Sequence, residues 1–169
     1  NLLQGTKYSV NNYYVALEQA VGLCASTNMA KRLGLKASDG RDFVETEQVP
    51  SFTLGIVEVT PLSMVEAYGT FANRGVHCNP IILKSIKGKD GAAFDVPTAG
   101  CKRVLSEDVA DAVNKVFQGP YTPGGTAYTA KVPGYTMAGK TGTVPKNKAV
   151  WTVGYTPDLV GAAVLSYDN

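Results

Sequence analysis

The stretch TPLSMVEAYGTFANRG (residues 60–75) predicts one helix together with both of its ends. Thr60 can cap the first turn, and Pro61 suits the first helical position, where its missing N–H would have no partner. Gly75 follows the last turn, as glycine commonly does after a helix. Apolar residues recur at helical spacing between these ends. We therefore expect a helix over residues 61–74, whose buried stripe consists of Met64, Ala67, Tyr68 and Phe71.

Three further helices are predicted by the same kind of signal. They cover residues 11–21, ended by Gly22; residues 26–33, ended by Gly34; and residues 106–118, capped by Ser106. Their predicted apolar faces are, in chain order, Tyr13, Leu17, Ala20 and Val21; Met29, Ala30 and Leu33; and Val109, Ala112, Val113, Val116 and Phe117. Residues 36–51 are charged and show no period, so we expect a long connection there.

The pattern changes after these helices to short segments rich in β-forming residues. Residues 135–143, 150–155 and 160–167 are separated by turn material, and connections this short favour antiparallel hairpins. Helices followed by a three-stranded meander indicate an α+β fold.

Length and charge limit the classes of protein that fit. The chain has 169 residues, about the length of one domain. Lys and Arg number 16 against 14 Asp and Glu, and no basic run occurs, which argues against a nucleic-acid partner. No apolar run is long enough to cross a membrane, and the first residues lack a signal-peptide pattern. Because the chain begins at Asn1 rather than Met, we interpret it as a piece of a longer protein, with any membrane anchor outside it.

The cysteines and the histidine do not have the spacing of a zinc site, so we expect neither a metal nor a cofactor. Cys24 lies in the apolar run VGLCA (residues 21–25), where we expect a small buried thiol. Cys78 and Cys101 flank an excursion that contains glycines and a proline. A disulfide between them would staple this excursion if the compartment is oxidising.

The segment AGKTGT (residues 138–143) places a lysine, two hydroxyls and a glycine at the end of a predicted strand. This row offers a positive charge, hydroxyl donors and exposed N–H groups, which suits a carboxylate and a developing oxyanion. A lone Lys-Thr-Gly tripeptide is a weak signal, and Ser9, upstream in Ser9-Val10-Asn11, could equally be a helix cap. The Ser-x-Asn and Lys-Thr-Gly motifs together are a stronger signal, because serine acyl-transfer enzymes carry S-x-x-K, Ser-x-Asn and K-T-G elements in that order.

These motifs and two longer stretches resemble the C-terminal part of the transpeptidase domain of class A penicillin-binding proteins. SFTLG (residues 51–55) and EVTPL (residues 58–62), followed by AYGTFANRG (residues 67–75), are similar to the family's LG…EVTPL…AYxTFANxG signature. AGKTGT followed by WTVGYTP (residues 151–157) resembles its third motif and the next strand. The sequence around Cys24, Cys78 and Cys101 is similar to that of actinobacterial members. The resemblance covers nearly the whole chain.

The resemblance implies the fold that penicillin-binding proteins share with serine β-lactamases. Residues 1–169 would be the C-terminal portion of one transpeptidase domain, with the later helices and three strands of a five-stranded sheet. It also implies peptidoglycan D,D-transpeptidation through an acyl-serine, on stem peptides that end in D-Ala-D-Ala, outside the bacterial cell membrane. β-Lactam antibiotics would bind covalently at the same step.

The resemblance further implies the roles of six residues. Ser9 would relay a proton to the departing amine, Asn11 would hold the substrate amide, and Lys140 would supply the field that binds a carboxylate. The hydroxyls of Thr141 and Thr143 would contact that carboxylate. The Thr143 N–H would form half of the oxyanion hole, and Gly142 would leave room for the substrate along the strand edge.

The departure from the family pattern is the nucleophile, because no serine of the chain has a lysine three residues later. We expect the S-x-x-K serine on an upstream segment or a separate chain, and we expect the fragment alone to be inactive. Its partners would be that segment, peptidoglycan stem peptides and β-lactams. Two alternatives stay open, namely a non-catalytic penicillin-binding sensor module of the same fold and a serine β-lactamase.

Overall fold

The computed structural model describes residues 1–46 and 49–167. Its helices are α1 (Leu2–Lys7), α2 (Asn11–Val21), α3 (Leu23–Arg32), α4 (Phe43–Thr46), α5 (Pro61–Ala72) and α6 (Glu107–Phe117). Its strands are β1 (Val76–His77), β2 (Ile86–Lys87), β3 (Ala93–Phe94), β4 (Lys102–Arg103), β5 (Ala138–Thr143), β6 (Ala149–Tyr155) and β7 (Val160–Ser166). Short 3-10 turns occupy Pro50–Leu54, Gly119–Tyr121, Tyr128–Ala130 and Pro145–Asn147.

The three long strands form an antiparallel meander in the order β5, β6, β7, so the predicted α+β fold is confirmed. Tyr155 of β6 pairs with Ala138 of β5 and with Val160 of β7, so these three residues lie in one row across the sheet. Strand β5 begins at Ala138 rather than at residue 135. The reason is that β6 ends at Tyr155, the partner of Ala138, so residues 135–137 have no partner on β6.

Two pairs of very short strands also form, which the sequence pattern does not predict. Strand β1 pairs with β4, and β2 pairs with β3, both antiparallel. Strands of two residues are too short to show an alternating pattern.

Helices α5 and α6 start as their sequences predict. The Thr60 side chain accepts a hydrogen bond from the Ser63 N–H (3.2 Å), and the Ser106 side chain accepts one from the Val109 N–H (3.4 Å). Helix α5 ends at Ala72, and the Gly75 N–H then donates to the Thr70 carbonyl (2.7 Å). Side-chain caps of this kind satisfy N–H groups that have no partner within the helix.

The start of α3 differs from the prediction. The helix begins at Leu23 rather than at residue 26, because Gly22 at a φ of +90° already separates it from α2. The Ser26 N–H and hydroxyl both donate to the Gly22 carbonyl at 3.2 Å, so the turn before Ser26 is helical.

The predicted apolar face of α2 is only partly correct. Tyr13 and Leu17 are half-buried, but Ala20 and Val21 are exposed and Glu18 is buried. Helix α2 packs against the turn at Pro50–Leu54, and this contact selects the face that is covered.

The buried face of α6 is also rotated from the prediction. Val109 and Ala112 are exposed, whereas Ala110 is fully buried. Helix α6 packs against α5, α1 and β5. Ala110, Asn114 and Phe117 lie at i, i+4 and i+7 and therefore share the face that these neighbours cover.

Four aromatic rings and one amide join the helices to the sheet. Tyr68 stacks on Phe117 (5.3 Å between ring centroids) and meets Phe71 and Tyr155 edge-on, at 6.0 Å each. Within this cluster, Asn114 donates to the Phe71 carbonyl (3.0 Å) and accepts from the Tyr155 hydroxyl (2.6 Å). Helices α5 and α6 are therefore connected to β6 by both packing and hydrogen bonds.

The segment predicted as a long connection contains more regular structure than expected. It includes α4, and Ala37 forms an isolated antiparallel bridge with Val59. Glu47 and Gln48, which the prediction includes, lie outside the described residues.

The structure joins Cys78 and Cys101 in a disulfide, with 4.1 Å between their Cα atoms. The bridge closes the segment that contains the β2–β3 hairpin. The expectation for Cys24 is wrong: this residue is exposed. Cys24 lies in the first turn of α3, whereas the buried residues of this helix are Thr27 and Ala30 in its later turns.

A buried polar pair lies next to the disulfide. His77 Nε2 is 2.7 Å from Glu66 Oε1, and only 7% and 3% of the two side chains are exposed. Gly34 has a φ of +84°, and a Cβ there would lie 2.4 Å from His77 Nε2 and 2.5 Å from Glu66 Oε1. The pair therefore occupies space that only glycine leaves at this position.

Gly34→Ala is expected to destabilise the protein by about 3 kcal/mol or more, because the new methyl would displace the buried pair and also adopt a left-handed φ. Gly40→Ala is the matched control, since Gly40 has a φ of +80° with open space around it. It should lose about 1 kcal/mol from backbone strain alone. Urea unfolding measures the stability of both variants. Equal losses in Gly34→Ala and Gly40→Ala would contradict the expectation that displacing the His77–Glu66 pair adds to the cost.

Cys78→Ser combined with Cys101→Ser is expected to lower the free energy of unfolding by about 3 kcal/mol, because the bridge restricts the unfolded chain over a separation of 23 residues. Chemical unfolding with and without dithiothreitol measures this. The reduced wild type should behave like the double variant, and an unchanged stability on reduction would refute the expectation.

Candidate active site

Ser9 lies in the tight turn between α1 and α2 and has a φ of +54°. Contacts between residues of α1 and α2, on either side of Ser9, hold this turn in place. The hydroxyls of Thr6 and Tyr14 are 2.5 Å apart, and the Tyr13 ring packs so closely on Gly5 that a Cβ there would lie 2.5 Å from it. A left-handed serine needs such support, since this conformation costs roughly 1–2 kcal/mol for an L-residue.

Lys140 lies on β5, which is an edge strand of the three-stranded sheet. The preceding residue, Gly139, has a φ of +151°, and a Cβ there would lie 2.0 Å from the Val153 carbonyl oxygen. The backbones of β5 and β6 therefore leave no room for a side chain just before Lys140. This contact and the pairing of Lys140 with Val153 fix the position from which the lysine side chain starts.

The structure brings Ser9 and Lys140 together. Lys140 Nζ donates to Ser9 Oγ (2.7 Å) and to the Thr141 carbonyl (2.7 Å), although Ser9 and Lys140 are 131 residues apart. Burial lowers the pKa of the Lys140 amine to about 8. At pH 7 the amine is therefore mostly charged but loses its proton more readily than an exposed lysine.

A second hydroxyl pair lies beside this contact. The hydroxyls of Thr141 and Thr126 are 2.9 Å apart, and the Thr126 N–H donates to the Lys7 carbonyl (3.2 Å). Thr126 was missed by the sequence analysis. The signal that could have found it is Gly124-Gly125, a turn directly before a threonine and upstream of the Lys-Thr-Gly segment.

The other predicted site residues lie close by, without contacts that join them to the lysine. Asn11 is exposed as the first residue of α2, and Gly142 and Thr143 are exposed at the end of β5. Among the described residues, the hydrogen bonds of the site involve Ser9, Lys140, Thr141 and Thr126. The arrangement combines one cation, several hydroxyls and the open edge of a strand, and such a surface can bind an anionic peptide in an extended form.

Neither a metal cluster nor a membrane-spanning helix is found in the described part of the chain. Residues 1–46 and 49–167 contain no group of three or more His, Cys, Asp or Glu side chains that could hold a metal ion. None of the helices in these ranges is long and apolar enough to cross a membrane.

Comparison with known proteins identifies the class to which this fold and site belong. Residues 1–167 match the family model "Penicillin binding protein transpeptidase domain". The chain is 31% identical to penicillin-binding protein 1A of Aquifex aeolicus over 161 residues, which is 95% of this chain and 21% of that protein. It is 30% identical to penicillin-binding protein 2a of Streptococcus pneumoniae, over 94% of this chain and 22% of that protein.

Solved structures of the same class have the same fold. Penicillin-binding protein PonA1 of Mycobacterium tuberculosis matches with a TM-score of 0.79 and 25% identity, over 97% of this chain and 46% of that chain. Penicillin-binding protein 1A of Haemophilus influenzae matches with a TM-score of 0.80 and 22% identity, over 100% of this chain and 30% of that chain.

The chain belongs to the penicillin-binding protein transpeptidase family, and the resemblance to class A members is confirmed. It spans about a fifth of the length of the curated relatives it matches.

The Lys140 amine is expected to titrate near pH 8, whereas exposed lysines titrate near about 10.4. The amine should be charged below pH 8 and neutral above it, because burial disfavours the charged form. Reductive methylation with a carbon-13 label, followed by an NMR titration, measures this. The signal should disappear in Lys140→Arg, and a Lys140 signal that titrates near 10.4 would contradict the burial of the amine.

Proposed function

We propose that this chain forms the substrate-binding and proton-transfer part of a peptidoglycan D,D-transpeptidase active site. The observation that carries the proposal is the hydrogen bond between Lys140 Nζ and Ser9 Oγ beside the open edge of β5. This contact joins the Ser-x-Asn and Lys-Thr-Gly elements, which serine acyl-transfer enzymes carry together. The acylated serine would come from another segment of a longer parent, since no S-x-x-K occurs among the 169 residues.

The proposed reaction has two acyl-transfer steps. In the first, the parent's serine oxygen attacks the carbonyl carbon between the two D-Ala residues. A C–O ester bond forms, the C–N bond breaks, and the serine proton ends on the departing D-Ala amine. In the second, the amine of a neighbouring stem peptide attacks the ester. A new C–N bond forms, and the proton lost by the attacking amine restores the serine hydroxyl.

Ser9 would transfer the proton, and Lys140 would promote this transfer. The Ser9 hydroxyl can accept a proton on one side and donate one on the other, so it can pass a proton to the departing amine. The pKa of Lys140, lowered to about 8 by burial, lies close to neutral pH, where such transfers are most efficient. Its charged form would also attract the terminal carboxylate of the stem peptide.

The remaining predicted residues would hold the substrate. The hydroxyls of Thr141 and Thr143 would donate to the carboxylate, and the Thr143 N–H would form half of the oxyanion hole. Gly142 lies between them without a side chain, so an extended peptide could approach the strand edge. Asn11 would bind the substrate amide from the start of α2.

β-Lactams are proposed as ligands that mimic the first step. The structure of penicillin-binding protein 3 from M. tuberculosis complexed with ampicillin matches this chain with 25% identity and a TM-score of 0.75. The parent would act outside the bacterial cell membrane, where peptidoglycan and its stem peptides lie. We propose no nucleic-acid partner and no cofactor.

The test uses the longer parent protein and a fluorescent penicillin. Wild type should form a stable covalent adduct, whereas Lys140→Ala should be acylated at least about 100-fold more slowly. Thr143→Val should reduce the preference for penicillins with a free carboxylate over their esters. Lys131→Ala, which removes an exposed lysine that precedes β5 in the chain, serves as the control and should react like wild type.

Other outcomes separate the alternatives. Fast release of the label would indicate a β-lactamase, and normal cross-linking after replacement of the parent's serine would indicate a sensor module. The 169-residue chain alone should form no adduct, and a stoichiometric mass shift on it would refute the assignment of the nucleophile to another segment. Equal acylation of Lys140→Ala and wild type would remove Lys140 from the proposed site.

A further inference from the structure

Thr126 belongs to a closed ring of contacts around the proposed site. The ring runs along the chain from Lys7 to Ser9, crosses to Lys140 through a 2.7 Å hydrogen bond, and continues to Thr141. From there it crosses to Thr126 through the two hydroxyls at 2.9 Å and returns from the Thr126 N–H to the Lys7 carbonyl at 3.2 Å. Thr126 is therefore in contact both with the segment that holds Ser9 and with the Lys-Thr-Gly strand.

The backbone around Thr126 is placed with little freedom. Gly124 has a φ of +79°, and a Cβ on Gly125 would lie 2.3 Å from the Pro120 carbonyl oxygen, so both positions favour glycine. On the other side, the Ala127 N–H donates to the same carbonyl (3.0 Å), and Ala127 is 1% exposed. The hydroxyl of Thr126 is thus presented to Thr141 from a fixed backbone.

We propose that Thr126 is a positioning residue, which orients the Thr141 hydroxyl so that Thr141 can donate to the carboxylate of the substrate. This inference rests on the proposed function. A carboxylate only accepts hydrogen bonds, so Thr141 must direct its proton toward it. In the structure the Thr141 hydroxyl donates to Thr126 Oγ1. When Thr141 turns its proton to a bound carboxylate, the Thr126 hydroxyl would rotate and donate to Thr141 Oγ1 in its place, and a chain of two aligned hydroxyls strengthens each bond.

The side chain of Thr126 is suited to this role rather than to a role in stability. Thr126 is exposed, so its hydroxyl contributes little to packing, and its removal leaves no polar group buried without a partner. The backbone N–H that contacts Lys7 is retained in any variant except proline. Substitutions that change only the hydroxyl should therefore leave the fold intact.

The experiment measures the second-order rate constant for acylation of the longer parent protein by a penicillin and by its methyl ester. Thr126→Val, which removes the hydroxyl and keeps the shape, should slow acylation by the free acid about five- to tenfold, as for the loss of one hydrogen bond. The methyl ester should be affected less than about twofold. Thr126→Ser should restore the wild-type rate, and Thr129→Val, at an exposed threonine in the next turn, should match wild type on both substrates.

A double-variant comparison tests whether Thr126 acts through Thr141. If it does, Thr126→Val should have no further effect in the Thr141→Val background. Additive losses, equal slowing on acid and ester, or failure of the serine variant to restore the rate would each overturn the role of Thr126. Wild-type parent that is not acylated at all would overturn the proposed function and this inference together, whereas a wild-type-like rate in Thr126→Val would overturn the inference alone.

Discussion

The contact of Tyr155 with Asn114 and the surrounding aromatic rings holds the sheet in place against the helices. Tyr155 is the last residue of β6, and its ring and hydroxyl are engaged by Tyr68 and Asn114. Because Tyr155 pairs with Ala138, fixing it also fixes the start of β5. Lys140 follows Ala138 two residues later, so the position of its amine depends on this packing contact.

The site combines two effects on Lys140 that oppose each other, the burial of its amine and the hydrogen bonds that the amine donates. A lysine at a partly buried position loses hydration, which favours its neutral form. The Ser9 hydroxyl and the Thr141 carbonyl accept its hydrogen bonds and replace part of the lost water. Ser9 can do so only because the α1–α2 turn keeps it in a left-handed conformation. Strain in the serine and desolvation of the lysine are thus concentrated at one point, where proton transfer would take place.

The sequence predicts those parts of the fold whose signals are local. The cap at Thr60, the proline at position 61 and the α5 pattern lie within one stretch, and the meander follows from three short β-rich segments. The covered face of α6, which includes Ala110, could not be predicted, because it depends on how α6 packs against α5, α1 and β5 rather than on the pattern within the helix. Lys140 and Ser9 could be named from motif order. For Thr126 the sequence offers only the turn at Gly124-Gly125, and its contacts with Lys7 and Thr141 depend on how distant segments meet.

The disulfide between Cys78 and Cys101 keeps the molecule covalently joined when the chain between these residues is cut. A protease that cleaves a single peptide bond anywhere in residues 79–100 would leave both halves joined through the sulfur atoms. The nicked molecule would keep its mass apart from one added water and would separate only after reduction. This segment exposes Ile82, which precedes the β2–β3 hairpin, and Phe94 within the hairpin, and insertions there would lengthen a closed loop without displacing the chain on either side of it. Because the disulfide closes this segment, its length can change without any change in the position of β5.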